Sequence, residues 1–126
     1  MIKRDIVNEV IKYQNKKEII ALVGSRQVGK TTIMQILFSK INDKKLFITF
    51  EDQEILNLFE NNIKSFIETY IKNYDYVFID EFQYSKKGGQ KLKFIYDTQK
   101  TKIIISGSSN PELSIQSLSY LVGRVL

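Results

Sequence analysis

The residues best suited to do chemistry lie between positions 24 and 32: Gly24-Ser25-Arg26-Gln27-Val28-Gly29-Lys30-Thr31-Thr32. They match the phosphate-loop pattern G-x-x-x-x-G-K-[ST] at every fixed position. The chemistry is the cradling of an anion. Gly24 and Gly29 let the backbone take positive φ and approach oxygen atoms with no Cβ in the way. The N–H groups of Ser25, Arg26, Gln27 and Val28 between them can converge as an anion nest. A helix opening at the end of the loop adds its unpaired N–H groups and the positive end of its dipole. Lys30 would set a compact cation over β- and γ-phosphates. Thr31 offers a hydroxyl to Mg²⁺, which prefers oxygen ligands, and Thr32 can bond an α-phosphate oxygen. The plainer reading is a glycine-rich turn with a solvated lysine.

A second group follows in Asp75-Tyr76-Val77-Phe78-Ile79-Asp80-Glu81, four apolar residues ending in two carboxylates, the form of a Walker B motif. A buried strand aims its last residues at the crevice where open α/β sheets bind ligands. Asp80 there can hold Mg²⁺ through its water shell, and Glu81 can polarise a water for attack on a γ-phosphate. An acidic turn after a core strand is the alternative. Gln83 could help orient that water or simply be a surface glutamine, and Asp52 is a further carboxylate to consider as base. Lys102 to Asn110 reads as a strand running into a small-polar turn. Ser106, or Ser108 or Asn110 in another register, could sense the γ-phosphate; the same residues also suit a turn.

The elements that must position these groups are legible from pattern. Ile19-Ile20-Ala21-Leu22-Val23 is a short β-branched run ahead of the loop, the mark of a buried strand. Ile33, Ile36, Leu37 and Ile41 follow a helical period behind it. Ile2, Ile6, Val10 and Ile11 predict an amphipathic helix over 2–15. A turn at Asn42-Asp43-Lys44-Lys45 leads to a strand at Leu46–Phe50. Residues 53–72 read as helix in one or two pieces, broken at Asn61-Asn62. Ser85 to Lys91 reads as a basic, flexible loop, open to nucleic acid, a partner or solvent, before a short helix marked by Leu92, Ile95 and Tyr96. Asn110 and Pro111 can open another helix as N-cap and N1.

Composition bounds the chemistry. At 126 residues the chain is sized for one small α/β domain. Its 43% apolar content allows a buried core. No run reaches transmembrane length, and no signal-peptide h-region opens the chain. These features point to a cytoplasmic protein. Cysteine and histidine are absent, which excludes disulfides, thiolate metal sites and histidine-based catalysis. Hydrolysis would have to rest on carboxylates, Lys, Arg and a metal ion. The net charge of +5 permits contact with nucleic acid without demanding it.

Together GSRQVGKTT at 24–32, VFIDEFQ at 77–83, IIISGSS at 103–109 and VGR at 122–124 resemble the AAA-like P-loop ATPases of bacteria and archaea, which often carry a further C-terminal domain. Serine stands where that family more often has threonine at 106 and proline at 25. The resemblance implies an α/β fold, a P-loop NTPase three-layer α/β/α sandwich with a mainly parallel sheet. The implied strand order is 1-4-3-2, with the strand at 102–106 inserted between 19–23 and 75–79. It implies ATP binding through Lys30 and Thr31, Mg²⁺ and catalysis through Asp80 and Glu81, and a sensor at Ser106. Arg124 would sit near the phosphates or a subunit interface. Against that pattern residues 1–126 form one C-terminally truncated domain whose fifth strand is missing or only begun. An unpaired strand 19–23 would then invite self-association. The expected activity is Mg²⁺-dependent ATP binding with hydrolysis. The alternative is a nucleotide-gated module contacting protein or nucleic acid. A small-molecule kinase would need a lid with several arginines, and the chain has only Arg4, Arg26 and Arg124.

Overall fold

A computed structural model describes residues 19–24, 29–108 and 121–125. Five strands carry the frame: β1 (Ile19–Gly24), β2 (Lys45–Thr49), β3 (Tyr76–Asp80), β4 (Lys102–Ser108) and β5 (Leu121–Val125). They form one sheet in the order β2-β3-β4-β1-β5, parallel at every pairing. The expected 1-4-3-2 order is present. The expected helix at 2–15 and the cap at Asn110-Pro111 lie outside the described residues. A fifth strand is formed: Leu121 pairs with Ile19 and Val122 with Ile20, with a register shift before Leu22 meets Val125. β1 therefore has a neighbour on each side, and the premise for self-association through its open edge is removed.

Parallel strands buried on both faces read as apolar runs, and alternate residues divide between two cores. Ile20, Leu22, Phe78 and Ile104 pack under helix α1 (Lys30–Lys40), against Ile33, Met34 and Leu37. Ile19, Ala21, Val77, Ile79, Ile103 and Ile105 face the opposite layer. That layer comprises α2 (Gln53–Asn61), α3 (Ile63–Phe66) with a π-helical turn at Ile67–Ile71, and α4 (Gly88–Thr98). The α/β/α sandwich is thus complete. Each core has its aromatic cluster. Phe38 meets Phe47 and Phe78 edge-on at 5.6 and 5.4 Å. On the other face Phe59 lies 4.9 Å from Phe50 and 5.0 Å from Phe66. Tyr76 is buried at the start of β3, and burial, with Asp43 and Asp75 adding to it, raises its pKa above the ordinary tyrosine value.

Local chemistry fixes the joints. Asp52 caps α2 by accepting from Glu54 N at 3.0 Å. The expected break falls at Asn62, whose N–H closes α2 on Leu58 O while its side chain accepts from Ser65 N to open α3. The Thr101 hydroxyl lies 3.0 Å from Ile71 O and 2.8 Å from Tyr74 O, fastening the start of β4 to the chain at and just after the end of the π-helical turn. Lys45 lies over the Phe38 ring and donates to Phe38 O at 2.7 Å, tying β2 to the end of α1.

One expectation is corrected. Ser85 to Lys91 is not a loop throughout, because α4 begins at Gly88 and both Gly88 and Gly89 are buried. The glycine serves close approach rather than flexibility. A Cβ on Gly88 would lie 2.2 Å from Ser85 Oγ and 2.8 Å from Phe82 Cζ. Gly88→Ala should therefore destabilise the fold by about 1–3 kcal/mol through overpacking, seen as a lower midpoint in urea. Ser85 Oγ is buried without a hydrogen-bond partner among the described residues, so Ser85→Ala should cost little. Combined with Gly88→Ala, it should recover part of the loss. An additive double mutant would show that the two side chains do not compete for that space.

Candidate functional site

Because every strand is parallel, Gly24, Thr49, Asp80 and Ser106 through Ser108 share one end of the sheet. In such sheets ligands bind at that carboxyl end. Register brings the groups together. Ile105 pairs with Ile79, so the next residues, Ser106 and Asp80, stand side by side on adjacent strands. Parity with Phe78 and Ile104 puts both on the α1 face of the sheet.

Asp80 is 7% exposed and Ser106 is 1% exposed, so their polar atoms need partners. They have them. Thr31 Oγ1 donates to Asp80 Oδ2 at 3.0 Å. Ser106 Oγ donates to Asp80 Oδ1 in a short bond. Glu81 N donates to the same Oδ1 at 3.0 Å and approaches Ser106 Oγ at 3.3 Å. One carboxylate thereby links α1, β3 and β4.

On the loop side, Gly29 takes φ 71°, ψ 39° immediately before α1. A side chain there would meet no atom within 4 Å, so it is the left-handed backbone that calls for glycine. Ile33 N closes the first helical turn on Gly29 O at 3.0 Å. Lys30, the first residue of α1, is buried, and Thr32 is exposed. Ser25, Arg26, Gln27, Val28 and Asn110 lie outside the described residues. Gly24 and Ser108 are paired through their backbones. Arg124 belongs to β5, and nothing further is described of its side chain.

Glu81 follows Asp80 with φ 58°, ψ 45°. A left-handed backbone at a non-glycine residue costs of order 1–3 kcal/mol and clusters at functional sites. Its carboxylate Oε1 accepts from Gln83 Nε2 at 2.5 Å. Asp52, the other carboxylate considered as base, is engaged in capping α2. Sequence pattern singled out Asp80, Glu81, Ser106 and the loop at 24–32 as candidates. It missed the turn at Glu81, for which glutamate gives no local signal, and the tight contact of Gly88 with Phe82. Among the described residues no group of three or more acidic side chains could enclose a metal, and no helix is long and apolar enough to cross a membrane.

An all-parallel sheet in this order, with a glycine turn into α1 opposite an aspartate at the end of β3, defines a P-loop NTPase-type α/β domain. The chain belongs to the AAA domain family, which matches residues 16–126. Membership places it in an ATP-binding, ATPase-type class. It is also similar to the uncharacterized protein MJ1637 of Methanocaldococcus jannaschii, with 32% identity over 133 residues. That match takes in 90% of this chain and 28% of the relative, so the chain spans little more than a quarter of that protein.

The Ser106 hydroxyl sits between Asp80 and the Glu81 peptide. Ser106→Ala would leave a buried carboxylate short of a donor and should cost about 1–3 kcal/mol. Ser106→Thr, which keeps the hydroxyl, should remain within about 1 kcal/mol of wild type. Denaturant midpoints of the two variants check this; equal loss in both would mean that volume, not the hydrogen bond, sets the cost.

Proposed function

We propose that residues 1–126 form one domain that binds ATP with Mg²⁺ and hydrolyses it. The observation that carries this reading is the 3.0 Å contact between Thr31 Oγ1 and Asp80 Oδ2. It joins the last position of the phosphate loop to the carboxylate at the end of β3. Two hard oxygen donors side by side suit Mg²⁺, which is commonly held by one or two carboxylates together with substrate phosphates. Thr31 and Asp80 would hold the ion, which would supply positive charge to offset the negative charge that develops on the phosphates.

The protein's own groups divide the remaining work. Gly24 through Val28 and Gly29 offer backbone N–H groups to the phosphates, reinforced by the first turn of α1. Lys30 holds the β- and γ-phosphates, and Thr32 reaches the α-phosphate. Glu81 accepts a proton from water as the water oxygen bonds to the γ-phosphorus. The bond from that phosphorus to the bridging oxygen breaks, and ADP leaves with the electron pair. Ser106 acts at Asp80 and beside the γ-phosphate, and Arg124 meets developing charge from β5 or from a neighbouring subunit. The Glu81 carboxylate favours turnover over a purely nucleotide-gated contact with protein or nucleic acid.

Two substitutions separate binding from chemistry. Lys30→Ala should weaken ATP binding by about 2 kcal/mol, the loss of a charge-assisted contact. Calorimetry with and without Mg²⁺ reads this, and unchanged affinity would sink the phosphate-loop assignment. Glu81→Gln should keep affinity and lower phosphate release by about two orders of magnitude. Unchanged release would place the base elsewhere.

A further inference from the structure

We infer that Gln83 is a positioning residue for the Glu81 carboxylate; this rests on the hydrolytic role proposed above for Glu81. The device is built from the end of β3 outward. Asp80 is fixed on both oxygens, by Thr31 on one side and by Ser106 and the Glu81 N–H on the other. The left-handed backbone at Glu81 then turns the chain out of the strand direction. Phe82 follows and is driven into the core, its ring stacked 5.5 Å from Phe50 and edge-on to Phe59 at 5.8 Å. A 3₁₀ turn at Phe82–Tyr84 completes the bend, with Tyr84 N donating to Glu81 O at 3.2 Å and Ser85 N to Phe82 O at 3.0 Å.

The consequence is geometric. Residues 81 and 83 flank a nailed-down aromatic ring, and both are only partly buried. Within this turn the Gln83 carboxamide reaches back to Glu81 Oε1 at 2.5 Å. Among the described residues Oε2 has no such donor. The amide engages Oε1, which leaves Oε2 as the oxygen that would accept the proton. A base must sit within hydrogen-bond reach of the proton it takes, and small misplacements of catalytic groups are costly. A glutamate side chain has three rotatable bonds, so an unrestrained carboxylate would sample several positions. The chemical type of the restraint also matters. A lysine or arginine at 83 would favour the charged carboxylate strongly and make it a poorer base. A neutral amide fixes position without adding a charge beside the carboxylate.

The test combines Gln83→Met, which keeps length and bulk but loses the donor, with Glu81→Gln and the double variant. In Gln83→Met, kcat for phosphate release should fall about tenfold, with KM for Mg²⁺-ATP and the melting temperature unchanged. In the Glu81→Gln background the same substitution should have no further effect, because the group it positions is gone. A second measurement needs no turnover. The Gln83 side-chain amide protons should be displaced from random-coil positions in a ¹H–¹⁵N spectrum of the wild type and should return toward them in Glu81→Ala. Wild-type kcat in Gln83→Met, an equal loss in both backgrounds, or random-coil amide shifts in the wild type would each overturn the inference. If Glu81→Gln itself leaves turnover intact, the role assigned to Glu81 fails, and this inference with it. If Glu81→Gln abolishes turnover while Gln83→Met does not lower it, only the role of Gln83 fails.

Discussion

A carboxylate removed from water must have its oxygens hydrogen-bonded, and Asp80 meets that demand by drawing three elements together. Its oxygens accept from Thr31 on α1, from Ser106 on β4 and from the peptide that leaves β3. None of these donors is near it in sequence except the last. The sheet order follows the same logic. With β4 inserted beside β3, Ser106 falls next to Asp80, and α1, following β1 on the far side of β4, returns over the same face. The packing beneath is arranged to keep this geometry stiff. Phe78, two residues before Asp80 on the same face, is clamped by Phe38 and Phe47, while Val77 and Ile79 hold the strand from the other layer.

The opposite layer does its part through Phe82. Two aromatic neighbours take its ring, and Gly88 comes within a distance that no side chain would permit. The first turn of α4 is thereby pressed against the bend that carries Glu81 and Gln83. The site thus has support on each face of the sheet: α1 behind the loop and Asp80, and the Phe50–Phe59–Phe82 cluster behind Glu81. The cost of a left-handed glutamate is offset locally, since its N–H is shared between Asp80 and Ser106 and its carbonyl is taken by Tyr84 N.

Much of this was legible in the sequence because two signals are strong there. Buried parallel strands announce themselves as β-branched runs, as at Ile19–Val23 and Ile103–Ile105, and the phosphate loop fixes residue types at fixed spacing. The helix break at Asn62 was also plain from turn chemistry. What escaped depended on distant partners. Gly88-Gly89 carries the same letters whether the chain needs freedom or closeness, and only Phe82 and Ser85 decide between them. Asp52 looked like a spare carboxylate until the start of α2 claimed it. The pairing of Leu121–Val125 with β1 rests on register across about a hundred residues, which no local window can hold.

The proposed binding and the proposed hydrolysis would draw on different parts of this site. A binding module could work with the loop, Lys30, Thr31 and Asp80 alone. The bend after β3 adds no cation and no new donor aimed at a phosphate. It constrains a second carboxylate beside the position a polyphosphate would occupy, where like charges repel. For affinity alone a neutral residue at 81 would avoid that repulsion. Proton acceptance from water is a task for which a fixed carboxylate is useful. The turn at Glu81, the anchoring of Phe82 and the amide of Gln83 support the hydrolytic role proposed for this site.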